Sequence, residues 1–144
     1  MHQDPRRRAR RAAALSAALV LALGLAACGA ATVSTGSFKG EQRAVAQRIA
    51  DFQADATAGD EQKVCANDLA GAVKAKLLAA GESCTKALAR QLGQIDTVDL
   101  TVQSVAVTGA TATARVKSTW SGKSTAGKLA LVKEGGAWRI AALR

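Results

Sequence analysis

Three cysteines, Cys28, Cys65 and Cys84, are the residues of this chain best suited to covalent chemistry. The other reactive types are scarce. The single histidine is His2, near the N-terminus, and there is no tyrosine. Ser-His-Asp and Cys-His arrangements are therefore impossible beyond the leader, as is a histidine-based zinc site. Paired carboxylates occur twice, as Asp51 with Asp55 and as Asp96 with Asp99. The first pair has helical i,i+4 spacing, with Arg48 three residues before Asp51, and reads as a solvated charged face rather than an acid–base couple. Gly122-Lys123-Ser124 imitates the end of a phosphate-binding loop. The glycine required five residues before Gly122 is replaced by Lys117, so the segment reads as a turn. No catalytic constellation, metal site or cofactor is expected; the one non-protein group implied is a covalent lipid on Cys28.

That lipid is implied by the N-terminal sequence. Arg6, Arg7, Arg8, Arg10 and Arg11 form a positive cluster. An apolar run follows from Ala12 to Leu25, interrupted by Ser16 and Gly24. This is the layout of an export signal. Leu25-Ala26-Ala27-Cys28 resembles a bacterial lipobox, in which the cysteine is acylated and becomes the mature N-terminus. The run of about 14 residues is short of the roughly 20 needed to span a bilayer. A retained transmembrane anchor is the alternative. Arg10-Arg11 also evokes a twin-arginine signal, but Ala12, Ala13 and Ala14 follow in place of a bulky apolar residue. The expected division is a signal peptide over 1–27, a lipidated cysteine and flexible tether over 28–38, and one domain over 39–144. The expected location is the extracytoplasmic face of the cell membrane.

With Cys28 lipidated, Cys65 and Cys84 remain as a pair in a compartment where disulfides persist. Closing their loop would stabilise the fold by roughly 3 kcal/mol. Two buried free thiols acting as small hydrophobes are the alternative. Removing the leader also changes the charge balance. Residues 28–144 keep 15 Lys+Arg and 10 Asp+Glu, so net charge falls from +9 to +5. Nucleic acid is not an expected partner, because an exported domain with few aromatics offers no stacking platform. The residual charge reads as an ordinary solvated surface, with attraction to anionic lipid headgroups or cell-wall polymers as the alternative.

Residues 29–37, GAATVSTGS, have no periodic apolar face and read as a tether. From Glu41 to Ala58, Val45, Ile49, Phe52 and Ala56 recur at helical spacing. Gly59 is a stop and Asp60 an N-cap. A second helical region covers about 61–80, with Val64, Leu69, Val73, Leu77 and Leu78 as its apolar positions. Asn67-Asp68 and Gly71 predict a break inside it. A third helix covers about 83–92. After Gly93 the period becomes two. Val98, Leu100 and Val102 alternate, then Val105 and Val107 do so out of phase, which predicts a bulge near Gln103-Ser104. Further strands are predicted over 111–120, 125–133 and 137–143, joined by turns at Ser121–Ser124 and Gly135-Gly136. The class is α+β, with N-terminal helices followed by an antiparallel four-stranded meander.

The order of elements, and a closing strand with Gly136, Trp138 and Ile140, resemble the nuclear transport factor 2-like cone over about residues 41–143. The resemblance implies that the N-terminal helices are packed in a curved antiparallel four-stranded meander, the sheet wrapping around the first helix. It implies no single activity, since that family holds isomerases, dehydratases, cyclases and non-catalytic binding domains. Its isomerases place an acidic base and tyrosine or acid donors deep in the pocket. Here the inward positions read as Ala, Val, Ser, Leu and Trp, with no poised acid or base. The expected interior is built on Val45, Ile49, Phe52, Trp120, Trp138 and Ile140. The expected function is a non-enzymatic interaction or accessory module of the cell envelope, contacting another envelope protein. A binder of a small apolar ligand in the cone is the alternative.

Overall fold

The computed structural model describes residues 34–93, 98–120 and 123–143, without the side chains of Trp120 and Leu143. The leader, Cys28, Asp96 and Ser121-Gly122 lie outside the described residues. The first helix, α1, spans Gly40–Thr57. Its buried residues are Val45, Ala46, Ile49, Gln53 and Ala56. The spacing from Val45 to Ile49 to Gln53 is four and four, then three to Ala56, so a glutamine occupies the centre of the apolar stripe. Phe52, one position away and rotated by about 100°, packs only partly against the core. Gly59, at φ +66°, ends the helix where a residue with a Cβ would be strained. The Asp60 carboxylate then accepts from the backbone N–H of Lys63 at 3.0 Å.

The predicted second helix is three pieces. Glu61–Lys63 forms the short α2, Val64–Asp68 a π-helical turn, and Gly71–Ala79 the helix α3. The break falls where Asn67-Asp68 and Gly71 place it. Val64 and Leu69 are buried as expected. Leu78 is not: it is 72 % exposed, and α3 has no buried residue. The last helix, α4, spans Cys84–Leu92 and starts at Ser83, whose hydroxyl accepts from Lys86 N–H.

Four antiparallel strands follow: β1 Asp99–Thr108, β2 Thr111–Trp120, β3 Lys123–Glu134 and β4 Ala137–Leu143. They lie in the order β1-β2-β3-β4. The register of β1 on β2 shifts between Val102 and Ser104, at the predicted bulge. A second shift, between Ala130 and Leu131, has no signature in the sequence. β3 also begins at Lys123, earlier than the predicted turn allows, because Trp120 pairs directly with Lys123.

One face of the sheet is apolar. Leu100, Val102, Val105, Ala112, Ala114, Val116, Leu129, Leu131, Trp138 and Ile140 form a single core with Val45, Ile49 and Ala56 of α1. The small Ala112 and Ala114 let the helix approach the central strands. Fully burying Ile49 contributes on the order of 1.5–3 kcal/mol.

Both end strands of the sheet are met in part by the helical half of the chain. On β1, Gln53 Oε1 accepts from Leu100 N–H at 2.9 Å, and Gln42 Nε2 donates to Val105 C=O at 3.0 Å. These glutamines lie on α1, so the helix satisfies backbone groups that β1, as an end strand, cannot pair. On β4, the segment after the π turn does the same work. Leu69 bridges Ile140 in parallel, and Ala70 N–H donates to Ile140 C=O at 2.9 Å. These contacts satisfy some of the backbone groups that an end strand leaves unpaired.

Candidate functional site

The expected apolar interior contains an ion pair. Asp68, the last residue of the π turn, is fully buried. Its Oδ1 accepts from Arg48 Nη1 of α1 at 2.7 Å. Asp51 Oδ2 lies 3.7 Å from the same nitrogen, at the exposed side of the pair. Asp68 Oδ2 and Arg48 Nε are buried with no hydrogen-bond partner among the described residues. Such atoms each cost on the order of 1–3 kcal/mol relative to a satisfied group, so they mark a place where the fold gives up stability. Burial pushes the Asp68 carboxyl up to about 6, against the opposing hydrogen bond and charge of Arg48. The nearby Asp55 and Asp51 push it in the same direction as burial.

Three attachments hold the π turn that carries Asp68. Leu69 N–H reaches back five residues to Val64 C=O at 3.1 Å, which widens the turn. π-Helical turns of this kind concentrate at functional sites. Cys65 is bonded to Cys84 at the start of α4, with Cα atoms 6.0 Å apart. From β4, Arg139 Nη1 donates to Ala66 C=O at 2.7 Å. The turn is thus fixed to α4 by the disulfide, to β4 by Arg139 and to α1 by Arg48. Gly71 N–H, at the start of α3, is met by both carboxylate oxygens of Glu134 at 3.1–3.2 Å.

A second polar cluster lies at the other end of α1. Glu41 accepts from Trp138 Nε1 at 2.7 Å and from Lys133 Nζ at 2.8 Å. The ammonium also sits 5.8 Å from the centre of the Trp138 ring. Lys133 first, and then Trp138, hold the Glu41 carboxyl below its usual range. Every polar atom of this cluster is satisfied by a neighbour, so it reads as a clasp between α1 and the β3–β4 hairpin.

The family model described as "Putative lumazine-binding" matches residues 41–143. The chain belongs to this family. No curated protein matches it. Two solved structures are similar. One is an NTF-2 like protein of unknown function from Silicibacter pomeroyi, with 18 % identity and a TM-score of 0.49 over 70 % of this chain and 93 % of that one. The other, from Campylobacter jejuni, is described as a "Putative NTF2-like transpeptidase", with 15 % identity and a TM-score of 0.43 over 64 % of this chain and 92 % of that one. The order of four helices and a four-stranded antiparallel sheet agrees with the expected α+β class.

Of the family member's predicted interior residues, Val45, Ile49, Trp138 and Ile140 are buried together. Phe52 flanks them, and the Trp120 side chain lies outside the described residues. Asp51 and Asp55 stay on the helix surface. Asp51 is bonded by Gln47 and Asp55 lies 3.9 Å from Lys63. Asp99 opens β1. Among the described residues, no three His, Cys, Asp or Glu side chains converge as a metal site. No described helix is long and apolar enough to cross a membrane.

Sequence reasoning missed Arg48 and Asp68. An interior without an acid was expected, and the structure corrects this. The signal for Arg48 was its position three residues after Val45 and four before Phe52, on the buried face. Asp68 gave no such signal, because Asn67-Asp68 reads as an ordinary helix break.

Proposed function

We propose that this chain is a membrane-anchored, extracytoplasmic binding module without catalytic chemistry of its own, in which Arg48 and Asp68 form the polar end of a small-ligand site. The observation that carries this reading is the buried pair with its two unpartnered atoms. Arg48 Nε–H is a donor. Asp68 Oδ2 is an acceptor when ionised and a donor when protonated. A ligand carrying both amide-like N–H and C=O groups can meet either state. Lumazine, named in the family description, is a heterocycle of that kind. The apolar part of the ligand would lie against Phe52, which is one helical turn from Arg48 and only partly buried. The purely apolar ligand first expected fits this site less well than a heterocycle with a polar edge.

A catalytic reading has less support. One buried acid with its arginine, and no second group poised to exchange a proton with it, is half of an acid–base couple. Glu41, Asp60, Glu82 and Glu134 are each engaged by a structural donor. Lipidation at Cys28 is the anchor we propose, resting on the lipobox resemblance and the short apolar run. The test of the ligand site is titration of the protein with lumazine, followed by the heterocycle's own fluorescence. Saturable binding is expected. A linear, non-saturating response would remove the ligand reading and favour the partner reading, for which the exposed Leu78 on α3 is the supporting observation.

A further inference from the structure

The centre of the sheet face turned away from α1 is positively charged. Cross-strand partners share a face, and the register places Thr101 beside Lys117 beside Ala126, and Ser104 beside Arg115 beside Lys128. Thr113 and Thr111 continue the same face. Arg115, Lys117 and Lys128 are all exposed, and none takes part in an ion pair among the described residues. Their neighbours Thr101, Ser104, Thr113 and Ala126 are small and uncharged, so the three long cations stand above a low, polar plain.

This arrangement carries a cost. Arg115 and Lys128 are directly opposite on adjacent strands, where like charges repel. Protection of sheet edges does not account for them, because β2 and β3 are the two interior strands. The acids lie elsewhere. Seven of the ten beyond residue 28 lie in residues 41–82, before the sheet begins. On the strands, Glu134 is occupied by Gly71 and Arg139, and Asp99 lies at the far end of the face.

We infer that this outer sheet face, centred on Arg115, Lys117 and Lys128, is a docking surface for an anionic lipid bilayer. The inference rests on the proposed anchoring only in placing the domain beside a membrane. Charge complementarity selects the occupant, since an apolar partner would have to desolvate three unpaired cations. Headgroup phosphates need only approach them. Thr35 and Phe38 are already joined in a turn at the domain, so the tether we propose is the stretch between Cys28 and that turn; at about 3.3–3.6 Å per extended residue it keeps the domain within reach of the bilayer. Each cation close to an anionic surface strengthens partition by on the order of fivefold, and the effect is screened by salt.

The test uses the full chain isolated from membranes and mixed with vesicles of 30 % phosphatidylglycerol in phosphatidylcholine, or of phosphatidylcholine alone. A water-soluble acylating reagent then labels exposed amines, and mass spectrometry reads each lysine. On anionic vesicles, labelling of Lys117 and Lys128 should slow by about fivefold relative to neutral vesicles. Lys74 and Lys76 on α3 should be unaffected, and high salt should abolish the difference. A triple Arg115→Gln, Lys117→Gln, Lys128→Gln variant should lose the preference for anionic vesicles. A triple Lys74→Gln, Lys76→Gln, Lys86→Gln variant, with the same loss of charge, should keep it. Equal labelling of both sets of lysines on vesicles that carry the protein would overturn the docking surface while leaving the anchor intact. Failure to float with either vesicle would overturn both. Protection of Lys117 and Lys128 by a soluble polyanion, with none by anionic vesicles, would assign the face to a wall polymer and refute the lipid surface.

Discussion

Arg48 and Asp68 meet at 2.7 Å inside the domain, joining the first helix to a π turn twenty residues further along the chain. The contact decides how the molecule is understood. Without it the interior is an apolar cone; with it there is a polar end whose hydrogen-bonding capacity the fold does not exhaust. It also predicts how the protein responds to substitution. Arg48→Ala leaves a buried carboxyl without its donor and should cost about 2–3 kcal/mol. Asp68→Asn keeps a hydrogen bond and removes the charge, and should cost less. Denaturant midpoints of the two variants give the comparison. Equal losses would mean that the pair contributes through packing alone.

Stability should depend on pH through Asp68. Its carboxyl titrates at about 6 in the folded chain, against 3.8 ordinarily. Folding therefore takes up a proton between those values. The contribution is full below the unfolded value and is lost as pH rises through about 6. It amounts to on the order of 2–3 kcal/mol. Glu41 and Asp60 act with the opposite sign, since their pKa values are lowered and their contribution is lost as pH falls. Subtracting the Asp68→Asn profile isolates the Asp68 slope. Parent and variant curves that run parallel from pH 4 to 7 would contradict the buried, proton-binding carboxyl.

The core should be most sensitive at Ile49. This residue is fully buried, whereas Phe52 is only partly so. Ile49→Ala should cost about 3–5 kcal/mol and Phe52→Ala about 1–3 kcal/mol. The order reverses what side-chain size alone predicts. Urea unfolding of both variants measures it.

Most of the fold was legible because periodicity carries it. The stripe from Val45, the break at Asn67-Asp68, the slip after Val102 and the closing Trp138-Arg139-Ile140 strand each follow from spacing or from glycine placement. What was not legible depends on tertiary placement. Leu77 and Leu78 look like a buried pair, but α3 lies on the surface and leaves Leu78 in solvent. Gln53 and Gln42 look like surface residues, and become backbone partners only because β1 is an end strand. Asp68 sits on a turn that Arg139 and Cys84 hold through Ala66 and Cys65, and these two residues are 71 and 16 positions from it in sequence. No local pattern announces such a residue.

The disulfide should matter chiefly to the π turn. Cys65→Ala with Cys84→Ala should lower stability by roughly 3 kcal/mol. Amide exchange should rise first in residues 64–68, because the turn then loses its covalent tie to α4 and keeps only its hydrogen bonds to α1 and β4. Uniform exchange across the domain would show that the bridge stabilises the fold as a whole.

The proposed lipid anchor has its own measurement. Mass spectrometry of protein extracted from membranes should find Cys28 at the N-terminus with a diacylglyceryl group. A Cys28→Ala variant should leave the membrane fraction at high salt. Retention of that variant with residues 1–27 still attached would point to a transmembrane anchor.

The most direct test of the binding site is calorimetric titration of lumazine into the parent and into Arg48→Met. The account predicts saturable binding by the parent and at least a tenfold loss of affinity, about 1.4 kcal/mol, in a variant that is less stable but still folded at the titration temperature. Equal affinity in the two proteins, or no heat from the parent with lumazine in excess, would contradict it.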